Sequence, residues 1–97
     1  MRLLDAAPEI GDYLKKRPPK HAKQIALKFL DLMENVRPSD SKLMKGYVGI
    51  FEVTSGEYRI MYSYSPSSVK VLLIGPRNDD KVFHQLERKY RNLVLVP

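Results

Sequence analysis

Between Lys20 and Val36 the apolar residues Ala22, Ile25, Ala26, Phe29, Leu32, Met33 and Val36 recur at i, i+3, i+4 and i+7, with lysines opposite. That is the period of an amphipathic α-helix with one buried stripe. Ahead of it, Pro8 stands where the first turn of a helix tolerates a residue without an N–H. Glu9–Lys16 is therefore predicted as a shorter helix, stopped by Arg17-Pro18-Pro19. Met1–Leu4 is a candidate short strand. After the loop Arg37-Pro38-Ser39-Asp40-Ser41 the period changes to two. Tyr47–Thr54, Glu57–Tyr64 and Val69–Ile74 are predicted strands, separated by Ser55-Gly56 and Ser65-Pro66-Ser67-Ser68, and turns this short imply an antiparallel meander. Gly75-Pro76 stops the last strand. Asn78 or Asp79 is placed to cap a final helix running to about Tyr90, with Val82, Phe83 and Leu86 inward, and Leu93–Val96 is apolar and unassigned.

These elements predict one α+β domain over residues 1–97, with two N-terminal helices packed on one face of a small antiparallel sheet and a C-terminal helix. The sheet is a three-stranded meander plus the candidate N-terminal strand, and its second face is expected to be open. With Ser55-Gly56 as a two-residue loop, Glu52 lies opposite Arg59 and Val53 opposite Tyr58; the next loop sets Val71 opposite Tyr62. One face then collects Phe51, Val53, Tyr58, Ile60, Tyr62, Tyr64, Val69, Val71 and Leu73 as core. The other collects Glu52, Thr54, Glu57, Arg59, Met61, Ser63 and Lys70. On this reading Arg59 projects from the uncovered side, where a cross-strand pair with Glu52 is worth a few tenths of a kcal/mol.

Seventeen Lys and Arg against 11 Asp and Glu give a formal charge of +6, which suits a polyanionic partner or simple solubility. Placement favours the first. Lys42 and Lys45 lie just before the first strand of the meander and Arg77 just after the last, so with Arg59 four cations surround one sheet face. Guanidinium forks match phosphate oxygens two at a time, which makes RNA the leading ligand class. A second cationic run, Lys15, Lys16, Arg17, Lys20, Lys23 and Lys28, contains no acid. The chain has no cysteine and only His21 and His84 as histidines, so no metal site and no small-molecule cofactor is expected. His21, among lysines, is read as a surface residue. No apolar run approaches the roughly 18 residues of a membrane span, and Met1–Ile10 lacks the pattern of a signal peptide. A soluble cytoplasmic protein is the expectation.

The stretch KLMKGYVGIFEVTSGEYRIMYSYSPSSVKVLLIGPRNDDKVF, residues 42–83, resembles the RelE/ParE superfamily of prokaryotic type II toxins. The resemblance rests on Gly-x-Tyr-Arg-Ile-x-Tyr, the apolar strand after it and Ile-Gly-x-Arg; LKKRPPKHAKQIALKFLDLMEN is similar to the family's helical hairpin. It implies a RelE-like fold and a ribosome-dependent endonuclease that cuts mRNA by attack of a ribose 2′-hydroxyl on the adjacent phosphate, arresting translation. Arg59 and Arg77 fall on the family's arginine positions and are assigned to phosphate and transition-state stabilisation. The family's strand lysines are replaced here by Ile50 and Glu52, and the tyrosine of its last helix by Phe83. Glu52 is then the candidate general base and His84 the candidate acid, since imidazole titrates near neutrality. Lys42, Lys45, Phe83 and the run Lys15, Lys16, Arg17, Lys20 and Lys23 become candidate mRNA and rRNA contacts. The missing lysines and Phe83 favour a second reading, a ParE-like toxin that poisons DNA gyrase without being an enzyme. Either implies a cognate antitoxin as partner, for which Ile50, Met61, Leu72 and Ile74 on the open face would offer an apolar patch.

Overall fold

Apolar periodicity and turn chemistry set the order β1 (Leu3–Ala6), α1 (Pro8–Lys15), α2 (Pro19–Glu34), β2 (Lys42–Leu43), β3 (Phe51–Ser55), β4 (Tyr58–Tyr64), β5 (Ser68–Pro76) and α3 (Lys81–Val94). The structure, a computed structural model, describes residues 1–94, with the side chains of Phe83 and of residues 90–94 outside the description. Both the predicted inward place of Phe83 and any packing by Leu93–Val96 therefore fall outside the described residues. Pro8 and Pro19 each open a helix, where their missing N–H costs nothing. Asp79, one of the two predicted caps of α3, accepts the Lys81 N–H at 2.9 Å.

The fold is α+β as expected, but its sheet is larger, with five strands in the order β1-β5-β4-β3-β2. The candidate N-terminal strand forms as β1 and pairs parallel to β5, Leu3 against Ser68 through Ala6 against Val71, so the sheet is mixed. At the far edge β2 sets Lys42 opposite Glu52. The predicted strand from Tyr47 begins only at Phe51. Gly46 (φ +87°) and Gly49 (φ +71°) bend residues 46–49 through the left-handed region, which an extended strand does not use.

Two registers differ from expectation. The β3–β4 turn is Gly56-Glu57, so Ser55 faces Tyr58, Thr54 faces Arg59 and Glu52 faces Met61. Gly56, at φ +57°, takes the first central position of the turn, where glycine is favoured, and Ser55 is thereby released into the strand. A shift of two positions preserves which face each side chain occupies. The β4–β5 ladder contains a bulge: Met61 pairs with Leu73 but Tyr62 pairs with Val71. One extra residue of β5 turns both Leu72 and Leu73 toward the second face and sends Ile74 across to the first, the reverse of the expected places for Leu73 and Ile74.

The second face is not open. Beneath α1 and α2 lies the larger core, with Ile25, Phe29, Leu32, Val53, Ile60, Tyr62 and Val71. Beneath α3 lies another, in which Met61, Leu72 and Leu73 pack with Met44, Ile50, Val82 and Leu86. Ile50, Met61 and Leu72 of the apolar patch expected to await a partner are thus the floor of this core, with Met61 fully buried, and Ile74 belongs to the other core. Gly75 lets α3 come this close, since a Cβ added there would lie 3.0 Å from the Cβ of Val82.

Candidate functional site

Arg59 and Glu52 stand in adjacent rows on the α3 side of the sheet. Thr54, Arg59 and Gly75 form one cross-strand row; Lys42, Glu52, Met61 and Leu73 form the next. The two charges are diagonal neighbours rather than directly opposed, and Arg59 Nε lies 3.4 Å from Glu52 Oε2. Their side chains are only 17% and 18% exposed. The expectation that Arg59 projects from an uncovered face is corrected: α3 roofs that face, and the guanidinium is largely withdrawn from water beside its counter-ion. Exclusion of water strengthens such a pair while raising the cost of removing either partner.

Arg77 is placed differently. It is exposed just past β5, and its N–H donates to the Glu57 carbonyl at 2.7 Å, two register positions from the Arg59–Gly75 row. Gly56, Glu57, Pro76 and Asn78 complete a polar hollow around it. His84 is exposed in the first turns of α3, two residues after the Val82 that packs on Gly75. Lys42 and Lys45 are exposed at the β2 end. The sheet therefore carries an inner cation, Arg59, and an outer one, Arg77, near the same strand ends.

The cationic run sits on the other layer, in α1, α2 and the turn between them. Lys15, Lys16, Lys20 and Lys23 are exposed. Arg17 is not simply outward: its guanidinium lies 4.3 Å from the Tyr13 ring centroid and its Nε donates to the Tyr13 carbonyl at 3.2 Å. Lys28 is held by Asp40 at 2.9 Å. The run and Arg77 nevertheless share one end of the molecule. Tyr13 packs edge-on to Tyr58, with ring centroids 6.2 Å apart, and Tyr58 is the register partner of Pro76.

His21 was read as a surface residue and is not one. It is partly buried, with Nδ1 2.8 Å from the Tyr58 hydroxyl, and ties α2 to the start of β4 across 37 residues of sequence. Nothing in the lysine-rich surroundings of His21 marks this contact in the sequence. Among the described residues no group of three or more His, Cys, Asp or Glu side chains is placed to hold a metal ion, and no helix is long and apolar enough to cross a membrane.

No family model matches the chain, and no curated protein sequence matches it. Solved structures do. An arginine-to-alanine double variant of the E. coli toxin RelE in the free state is 20% identical, with a TM-score of 0.73 over 91% of this chain and 96% of the other. The RelE of an archaeal RelE–RelB complex from Pyrococcus horikoshii is 19% identical, with a TM-score of 0.71 over 79% of this chain and 96% of the other. The isolated E. coli RelE toxin is 19% identical, with a TM-score of 0.68 over 92% and 98%. The chain has the RelE-like fold.

Proposed function

We propose that this protein is the toxin of a type II toxin–antitoxin system and a ribosome-dependent endoribonuclease. The observation that carries the reading is the pairing of that fold with two arginines near the same strand ends, one inner and one exposed. In the proposed reaction a base takes the proton of a ribose 2′-hydroxyl, its oxygen attacks the adjacent phosphorus, and an acid protonates the departing 5′-oxygen. The developing negative charge falls on the phosphoryl oxygens, where guanidinium groups act without needing to change protonation. Arg77 is the cation that meets the phosphate first. Arg59 is engaged by Glu52, so its contribution requires that pair to open, an event that would also release the Glu52 carboxylate to act as base. His84 is assigned as the acid. Lys42 and Lys45 flank the strand side; Lys15, Lys16, Lys20, Lys23 and Arg17 are assigned to rRNA, and Phe83 to the message. The RelE–RelB complex among the similar folds supports an antitoxin as partner.

The test maps RNA ends after brief induction. Translated messages acquire breaks within codons, and Arg77→Ala lowers their frequency by about 100-fold, the scale of one lost transition-state contact. If Arg59→Ala and Arg77→Ala both remain as toxic as the parent, the assignment of the site is wrong. One observation favours a second reading, a ParE-like toxin acting on DNA gyrase: an acid, Glu52, stands on the inner strand and holds Arg59. Its signature is gyrase-linked DNA breaks with messages left whole.

A further inference from the structure

A cleft of about 520 Å³ runs between α1 and α3, within the size range of built ligand sites. Leu73 belongs to the core under α3 and Ile74 to the core under α1 and α2, yet both line it. Side chains from opposite faces meet only at a strand's edge, so the cleft lies over the edge of β5. That edge is covered by β1 as far as Val71, after which no strand among the described residues pairs with it. Backbone groups along an unpaired edge are a template for an incoming strand.

The two ends of the cleft differ. α1 begins beside the Val71 end, where Glu9 is bound by Lys89 of α3 at 2.7 Å, and Arg88 adjoins. Toward the Pro76 end stands Tyr13, whose hydroxyl is buried with no hydrogen-bond partner among the described residues. Burial drives its pKa upward, so the phenol keeps its proton and this end carries no negative charge from it. With Lys89 bound to Glu9, the charge of this end is that of one cation, Arg88, which matches a single carboxylate better than a polyacidic segment. A fatty acid would satisfy Arg88 and the apolar walls but leave the edge amides unmatched.

We propose that this cleft receives the C-terminus of a partner protein, laid as an apolar extended segment antiparallel to β5 with its terminal carboxylate on Arg88. At roughly 3.3 Å per residue, the stretch from Val71 to Pro76 accommodates about four residues. Leu73 and Ile74 supply the apolar floor and the β5 edge supplies backbone hydrogen bonds. The inference does not depend on the ribonuclease reading.

Fluorescein-labelled pentapeptides built from Val, Leu and Ile, with free or amidated C-termini, test it by anisotropy on the full chain. The free acids bind saturably, and amidation or Arg88→Met weakens binding about tenfold, the scale of one charge-assisted contact. Gln85→Trp, which fills the cleft, abolishes binding, and amides in Leu73–Gly75 gain hydrogen-exchange protection when peptide is present. Arg88 and Gln85 are exposed, so both variants retain the fold, as thermal melts will check. Equal binding of the amidated peptides, indifference to Arg88→Met, or no binding by any member of the set overturns the proposal. So does tighter binding of an internal acidic peptide or of a medium-chain fatty acid. Binding persists in Arg77→Ala protein, so the two readings fail separately.

Discussion

Under α1 and α2 the sheet is lined by Val53, Ile60, Tyr62, Val69 and Val71, and the charge nearest to them among the described contacts, Arg37, is exposed and stacks on the Phe51 ring at 4.3 Å. Under α3 the lining is half apolar, through Met61, Leu72 and Leu73, and half ionic, through Glu52 and Arg59. Both faces are covered, but by different physics. Apolar burial is non-directional and adds in proportion to area. An ion pair withdrawn from water contributes little net stability while making the loss of either partner costly. The first face therefore holds the fold together, and the second keeps an arginine and its counter-ion at low net cost beneath α3.

The largest expected effect breaks the first face. Ile60 is fully buried in the centre of β4, and Ile60→Ala removes that packing and leaves a cavity, costing about 3 kcal/mol or more. Urea denaturation checks this, and a loss below about 1 kcal/mol would show that the α1–α2 core can collapse around the gap and is not what holds the sheet.

A smaller effect separates the two faces. Glu52→Gln leaves Arg59 largely buried without its counter-charge, costing about 2 kcal/mol, below the cost at a fully enclosed pair because both side chains keep some contact with water. Replacing both, as Glu52→Leu with Arg59→Met, returns stability to within about 0.5 kcal/mol of the parent, because apolar side chains of similar length suit a site roofed by α3. Under the proposed function the double variant is stable yet cuts no RNA. If it is instead as unstable as the single variant, the pair is structural and the division between faces fails.

Sequence periodicity made most of this fold legible. The stripe of Ile25, Phe29 and Leu32 is buried as read, because one-sided apolar spacing has only one way to be satisfied. Glu52 and Arg59, expected directly opposed across a different turn, still meet as diagonal neighbours because a two-residue slip keeps parity. The bulge in β5 was hidden: Leu72, Leu73 and Ile74 are all apolar, and alternation cannot show an inserted residue where both neighbours are of one kind. The roof over the second face had a signal that was read otherwise. Ile50, Met61 and Leu72 on a supposedly open face are better explained by the amphipathic α3 with Val82 and Leu86 than by an absent partner. Gly46 and Gly49 are themselves a local signal against an early strand start, whereas the Gly75–Val82 approach and the His21–Tyr58 contact are tertiary facts with no local pattern.

The smallest effect sharpens the contrast from the first face, where the hydroxyl of the fully buried Tyr62 has an internal partner. The Tyr62 hydroxyl donates to the Val36 carbonyl at 2.6 Å, and Tyr62→Phe leaves that carbonyl without its donor, costing about 1 kcal/mol. Burial drives the Tyr62 pKa above the ordinary 10.0, with Ser41 and Arg37 acting in the opposite sense. The folded state thus favours the protonated phenol, whose contribution is fully present below the unfolded value of 10.0 and is lost as pH rises above it. Above that value the unfolded chain releases a proton that the folded chain keeps, and the parent loses stability with rising pH on account of this residue. Tyr13 and Tyr47 are raised in the same direction but are common to both proteins and cancel in the comparison. The advantage of the parent over Tyr62→Phe should therefore stay constant below about pH 9 and have narrowed by about pH 11 in urea titrations. A gap unchanged at that pH would mean that Tyr62 ionises as readily in the folded protein as in the unfolded chain, and that this face is wetter than its apolar lining implies.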